Sequence, residues 1–325
     1  MNRKILTLAL VGGLVASALA AQAQPLRNRL RERMAERMEQ KRVEEERPVD
    51  LQAIAPGARK LTQSYGAAKG QDLDVYIPPG AQDAPVIIMV HGGAWKVGDK
   101  ANVGLIENKL KYWLPKGYVF VSVNYRMLPE AMADAQAGDV AQAVRWVQAH
   151  AAAWGASDRR IVLMGHSAGA HLVALLSSKP DMVGKPWAGT VVLDSAAMKV
   201  STVMDGRHPR FYDEAFGADP AAWAKVSPMD QWTPAAVPMF VVCSSQRPDK
   251  PCDDAKGLPG PGAEGGPGHA GAAPGLEPRR HQPDAGRAGG LYAGGGGVDQ
   301  AAGGALIWYL LPEGEGGARA AGVGG

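Results

Sequence analysis

Residues 165–169 read Gly165-His166-Ser167-Ala168-Gly169. A serine with a glycine two residues to each side suits a sharp strand-to-helix turn that holds its hydroxyl clear of the backbone. A hydroxyl presented in that way, given a base, attacks acyl carbonyls. The pentapeptide alone is a weak signal, because glycine is common. Its context strengthens it. An apolar run, "RRIVLM", precedes it, and the helical pattern "AHLVALLSS" (170–178) follows. The N–H of Ala168, at the start of that helix, is then aimed at a developing oxyanion. A second motif, His91-Gly92-Gly93-Ala94-Trp95, lies 76 residues upstream and ends the apolar run "APVIIMVHGGAW" (84–95). Glycines there let the backbone approach a bound carbonyl, and the N–H of Gly92 or Gly93 supplies the remaining oxyanion donors. Loss of one such donor raises a barrier by about 3 kcal/mol. "HGG" alone reads as an ordinary strand-end turn. Two such turns, each after a buried strand, argue for chemistry.

The elements that must hold these turns can be read from periodicity. "LDVYIPPG" (73–80) alternates and stops at a turn. Residues 84–95 and "GYVFVSVNYR" (117–126) are continuous apolar runs, as expected of strands buried on both faces. "DVAQAVRWVQAHAAAWG" (139–155) has helical spacing and ends at Gly155. "WAGTVVLDSAA" (187–197) and "VPMFVVCSSQ" (237–246) are two further strands. Strands alternating with helices predict an α/β fold with a doubly wound, mostly parallel sheet. Residues 205–232 carry no strand signal and form the candidate for a small cap.

The sequences "HGGAWKVGD" (91–99) and "GHSAG" (165–169) resemble those of the α/β-hydrolase superfamily, in its carboxylesterase branch of feruloyl-esterase-like and arylformamidase-like groups. The resemblance runs from about residue 60 to 256. It implies an acyl-enzyme mechanism without metal or cofactor, acting on a small-molecule ester. Ser167 is the implied nucleophile, a histidine shuttles its proton, and a carboxylate orients the histidine. The resemblance places the acid after a late strand, where Asp249 stands. Asp194, Asp253 and Asp254 are the alternatives, the last two also being candidate helix N-caps. Trp95, Trp187 and Trp232 are candidates for an acyl pocket, although a buried tryptophan usually serves the core. Two other readings stay open, an amidohydrolase of arylformamidase type and a catalytically inactive binding protein.

In this fold the triad histidine follows the acid. That sets aside His91, His166, His171 and His208. The later histidines are His269 and His281. His281 lies 32 residues after Asp249, but within "EPRRHQPD" it has no strand to hold it. From residue 257 onward the chain changes character. Residues 257–325 hold 23 of the 42 glycines and contain no Lys, Ser, Thr, Asn, Met, Phe or Cys. The stretch reads as a low-complexity tail, and the last strand and helix of the fold are expected to be lost or disordered. Apart from Tyr292, Ile307, Trp308 and Tyr309, every residue in it can be encoded by a triplet starting with G or C. That bias belongs to third codon positions of GC-rich DNA and points to one inserted base near codon 257.

The opening "MNRKILTLALVGGLVASALAAQAQP" has a basic n-region, an apolar h-region and an Ala21-Gln22-Ala23 cleavage site, so residues 1–23 read as a signal peptide of a secreted or periplasmic protein. Residues 24–59 read as a charged helical linker with a narrow stripe at Leu26, Leu30, Met34 and Met38. The hydrolase domain is expected over 60–256. The net charge of +3 gives no footprint for nucleic acid, and no other segment is long and apolar enough for stable membrane insertion. Cys243 and Cys252 are candidates for a disulfide in an oxidising compartment, with two free thiols as the alternative. Sequencing the DNA across codons 250–310 is expected to show one extra base; an uninterrupted frame disproves the insertion.

Overall fold

In the computed structural model, strands and helices alternate along the chain, and the described residues are 29, 31–37, 39–40, 43, 47–195, 197–244, 251–255, 257–258 and, as backbone, 291–295. They divide into two units, 1–48 and 49–325. In the first, residues 31–37 are helical and exposed, Met34 at 57%. The second unit begins at Val49, ahead of the boundary at 60 expected from sequence, because Val49, Leu51, Ile54, Ala55 and Ala58 pack into one of its cores.

One helical turn, Leu51–Ile54, opens the second unit, followed by two strands, β1 (Arg59–Ser64) and β2 (Asp72–Ile77). Next come β3 (Ala84–Val90), α1 (Val103–Trp113), β4 (Val119–Val123), α2 (Ala133–His150), β5 (Ala156–His166), α3 (Ala168–Ser178) and β6 (Gly189–Leu193). Three short helices, α4 (Val200–Met204), α5 (Arg210–Phe216) and α6 (Pro220–Val226), fill the candidate cap. They precede β7 (Met239–Ser244), α7 (Pro251–Ala255) and β8 (Leu291–Gly295). The strand order is β1-β2-β4-β3-β5-β6-β7-β8. The five strands from β4 to β7 are mutually parallel, while β1, β2 and β8 pair antiparallel. Of the tail, the structure describes residues 257–258 and β8, which pairs antiparallel with β7.

Period-two alternation explains why β3 is apolar throughout. Val86, Ile88 and Val90 face a core shared with Val140, Val144 and Val147 of α2 and Leu172, Val173 and Leu176 of α3. Ile87 and Met89 face the opposite core, with Ile106, Leu110 and Trp113 of α1. Helices on both faces leave no water for either side of the strand. From β3 the chain passes first to β4 on one side and then to β5 on the other, which makes the carboxyl ends of β3 and β5 a topological switch point. Ligand crevices of open α/β sheets form at such points. Both sequence motifs stand there.

Three elements differ from the sequence reading. α2 starts at Ala133, six residues before the expected start, since Ala133 and Ala137 continue its buried stripe with little hydrophobic signal. It ends at His150, and a 3₁₀ turn, Ala151–Trp154, leads to Gly155. α1 and β1 have no sequence counterpart. Polar residues between Val103, Ile106, Leu110 and Trp113 mask the face of α1, whose N-cap Asn102 accepts from Leu105 N. β1 is a polar, exposed edge.

Ile88 is fully buried at the centre of the sheet, opposite Val121 and Leu163. Ile88→Ala is expected to destabilise the fold by about 2–5 kcal/mol, measured as a lower urea midpoint with an unchanged slope.

Candidate active site

Ser167 joins β5 to α3 at φ 53° and ψ −116°. A non-glycine residue held at positive φ costs on the order of 1–3 kcal/mol and persists where its surroundings enforce it. Here Ser167 N donates to Leu193 O at 2.8 Å, and Ser167 O accepts from His171 N at 3.1 Å. The flanking glycines are required by space. A Cβ on Gly165 would lie 2.4 Å from Gly169 O, and one on Gly169 would lie 2.3 Å from Val90 O and 2.4 Å from His91 O. The Ser167 side chain is half-buried, while Ala168 behind it is buried.

The glycine turn after β3 abuts this elbow. A Cβ on Gly92 would sit 2.7 Å from His166 O and 2.9 Å from Ser167 Cβ. The next three residues all have positive φ: Gly93 at 116°, Ala94 at 52° and Trp95 at 58°. Lys96 N and Val97 N both donate to Gly93 O at 3.0 Å. Trp95 O accepts from Leu128 N at 2.9 Å and from Gln136 Nε2 at 2.8 Å. Ala168 N belongs to the first turn of α3, where amides have no intrahelical acceptor. Among the described residues, no backbone carbonyl accepts from Gly92 N or Gly93 N. Gly92 is thus packed against Ser167, with Gly93 and Ala168 as their respective chain neighbours.

Buried side chains brace the turn from below. His91 stacks on Tyr125 with ring centroids 4.5 Å apart, and the Tyr125 hydroxyl donates to His91 O at 2.9 Å. The His91 Nδ1–H donates to Gly92 O at 2.8 Å, and burial lowers the pKa of the ring, keeping it neutral. Further along, Asn124 accepts from Lys100 N at 2.7 Å, and its amide donates to Asp72 and Asp99 at 3.1 Å each. Lys100 Nζ pairs with Asp72 at 2.9 Å. Sequence reasoning missed Asn124 because an asparagine after a strand looks like any turn residue.

His171, one turn beyond Ser167, is fully buried. Its Nε2 lies 2.7 Å from Val226 O, and the Trp95 Nε1–H lies 3.3 Å from its Nδ1. A carbonyl only accepts, so Nε2 carries the proton and Nδ1 accepts from the indole. Desolvation lowers this pKa to about 4, partly opposed by the bond to Val226.

Asp249, His269 and His281 lie outside the described residues. Asp194 directly follows β6 at φ 59°, with its N–H donating to Val242 O at 2.7 Å. Asp253 and Asp254 lie within α7 and are not N-caps. The Asp254 carboxylate accepts from the amides of Met198 and Lys199, and burial raises its pKa to about 7. Cys243 and Cys252 form a disulfide with Cα atoms 5.2 Å apart. Trp187 donates to Thr190 Oγ1 in the core, and Trp95 packs against Phe216 and Tyr212 of α5. Trp232, the third candidate, is half-buried.

The chain resembles known proteins in fold and over part of its sequence. The chain superposes on a bifunctional GH43-CE protein of Bacteroides eggerthii with a TM-score of 0.52 at 19% identity, over 60% of this chain and 30% of that one. This chain has the α/β-hydrolase fold. Within the α/β-hydrolase domain, residues 73–210 match the BD-FAE family model. Kynurenine formamidase of Danio rerio is 36% identical over 128 residues, covering 37% of this chain and 41% of the relative. The probable isoprenylcysteine alpha-carbonyl methylesterase ICMEL2 of Arabidopsis thaliana is 36% identical over 109 residues, covering 33% and 25%. The chain thus spans less than half the length of these curated relatives.

The folded-state pKa of His171 is depressed, so between pH 6.5 and 4 the unfolded chain binds the extra proton and acid destabilises the fold. A difference of two to three pKa units amounts to about 3 kcal/mol. The raised pKa of Asp254 acts in the opposite sense over much of this range. The comparison that isolates the histidine is therefore wild type against His171→Asn. The stability advantage of wild type is expected to shrink by about 3 kcal/mol from pH 7 to pH 4, measured by urea unfolding at each pH.

Proposed function

We propose that this chain is an exported serine esterase that cleaves small carboxylic esters through an acyl-enzyme. The observation that carries the reading is Ser167 at positive φ with Gly92 packed directly against it. Ser167 Oγ attacks the ester carbonyl as its proton passes to a histidine. The carbonyl oxygen becomes an oxyanion facing the amides of Ala168, Gly92 and Gly93. Collapse expels the alkoxide, which takes the proton, and water then releases the acid by the reverse steps. Asp249 is the proposed orienting acid, and His281 is the weak candidate for the base. Loss of the triad histidine from this chain lowers turnover by several orders of magnitude from that of a complete triad.

The methylesterase among the relatives supports ester hydrolysis. The formamidase supports a second reading, cleavage of an N-formyl amide by the same nucleophile. Residues 1–23 are the proposed export signal, and the Cys243–Cys252 disulfide suits an oxidising compartment. Among the described residues, no helix is long and apolar enough to cross a membrane.

A fluorophosphonate probe is expected to label a frame-restored version and not the same version carrying Ser167→Ala. Absence of label on that folded, frame-restored protein overturns the nucleophile and favours a binding protein. Turnover of p-nitrophenyl acetate and of N-formylkynurenine, measured on this chain and on a frame-restored version, separates the ester reading from the amide reading. The restored frame is expected to be faster by at least a hundredfold.

A further inference from the structure

The oxyanion turn is an unfavourable piece of backbone. Gly93, Ala94 and Trp95 in succession have positive φ, and two of the three carry side chains that disfavour it. Something must hold them. The main-chain oxygen of Trp95 is fixed by Leu128 N and Gln136 Nε2. Its indole is fixed separately. The ring is 3% exposed and meets four rings: His171 edge-on at 5.5 Å, Phe216 at 4.8 Å, Tyr212 at 5.5 Å and Phe211 at 6.4 Å. Its one polar atom, Nε1, donates to His171 Nδ1.

His171 is placed to transmit position. Its backbone N–H donates to the carbonyl of Ser167, so it rides on the same helical turn as the nucleophile. Its Nε2–H donates to Val226 O at the end of α6, within the cap segment. One neutral imidazole therefore joins three pieces of chain, namely the nucleophile helix, the oxyanion turn and the cap. Only one tautomer satisfies both ring bonds, since Val226 O can only accept and the indole N–H can only donate. A substituent without an acceptor at the Nδ1 position strands a buried indole N–H, which releases the main restraint on the Trp95 side chain.

We propose that His171 is a positioning residue that sets the oxyanion turn by anchoring Trp95 to the helix that carries Ser167. The inference rests on the esterase reading for its catalytic consequence, but its structural content stands apart from it. The rim is tied at a second point by Lys96, whose Nζ pairs with Glu214 of α5 at 2.6 Å across the exposed edge of the turn. Surface pairs of this kind contribute little, so the buried imidazole is the stronger tie.

The test compares His171→Leu, His171→Asn and His171→Gln in the full chain. Asparagine keeps an acceptor near Nδ1, and glutamine keeps a donor near Nε2. His171→Leu is expected to lower kcat at least tenfold with KM changed less than twofold, because displaced amides are felt in the transition state. His171→Asn is expected to recover most of the loss and His171→Gln little of it. Equal kcat in wild type and a folded His171→Leu overturns the proposal, as does better rescue by glutamine than by asparagine. If the wild-type chain turns over too slowly to compare variants, as the proposed loss of the base implies, nuclear magnetic resonance decides. His171→Leu is then expected to abolish slow exchange of the Trp95 indole N–H and to move the Gly92 and Gly93 amide signals. Unmoved signals overturn the proposal.

Discussion

Two backbone turns approach more closely than side chains permit, and the rest of the structure serves that approach. Gly92 lies against His166 and Ser167, while Gly169 lies against Val90 and His91. A single methyl group at either glycine would meet main-chain atoms at less than 3 Å. Main chain cannot yield as a flexible side chain can. The parallel registers of β3 with β5 and of β5 with β6 bring the turns to one level, Val90 beside Gly165 and His166 beside Leu193. The sheet fixes the height of each turn, and the glycines allow contact at that height.

Polar groups beneath the turns are neutral or compensated. His91 and His171 are buried and held in their uncharged forms. Asp139, 2% exposed, meets the Arg126 guanidinium through two nitrogens at 2.7 and 2.8 Å and also accepts from Gln71. A fork of that geometry returns much of what desolvating a carboxylate costs. These bonds tie the chain after β4 to α2, which in turn supports Trp95 through Gln136. The turn after β3 thus rests on a rigid floor, as the proposed charge stabilisation by its amides requires.

What could be read from the residues follows from how each signal arises. The buried strands announced themselves because both faces are apolar, and Gly165, Gly169 and Gly92 because close approach leaves no substitute. β1 was hidden, since an edge strand facing water carries polar residues such as Lys60 and Gln63. α1 was hidden by Glu107, Asn108, Lys109 and Lys111 between its buried apolar positions. His171 looked like an ordinary helical histidine beside the elbow. Its role depends on Trp95 and Val226, 76 and 55 residues away in sequence, and no local pattern encodes such a meeting. The cap was legible only as a gap in the strand pattern, which turned out to be three short helices.

The Cys243–Cys252 bond closes a small covalent ring within the chain. A protease that nicks any peptide bond inside that ring leaves both fragments tethered, so the molecule keeps its mass on a non-reducing gel. The break becomes visible only after a thiol reductant opens the tether. Intactness of this protein is therefore properly judged under reducing conditions.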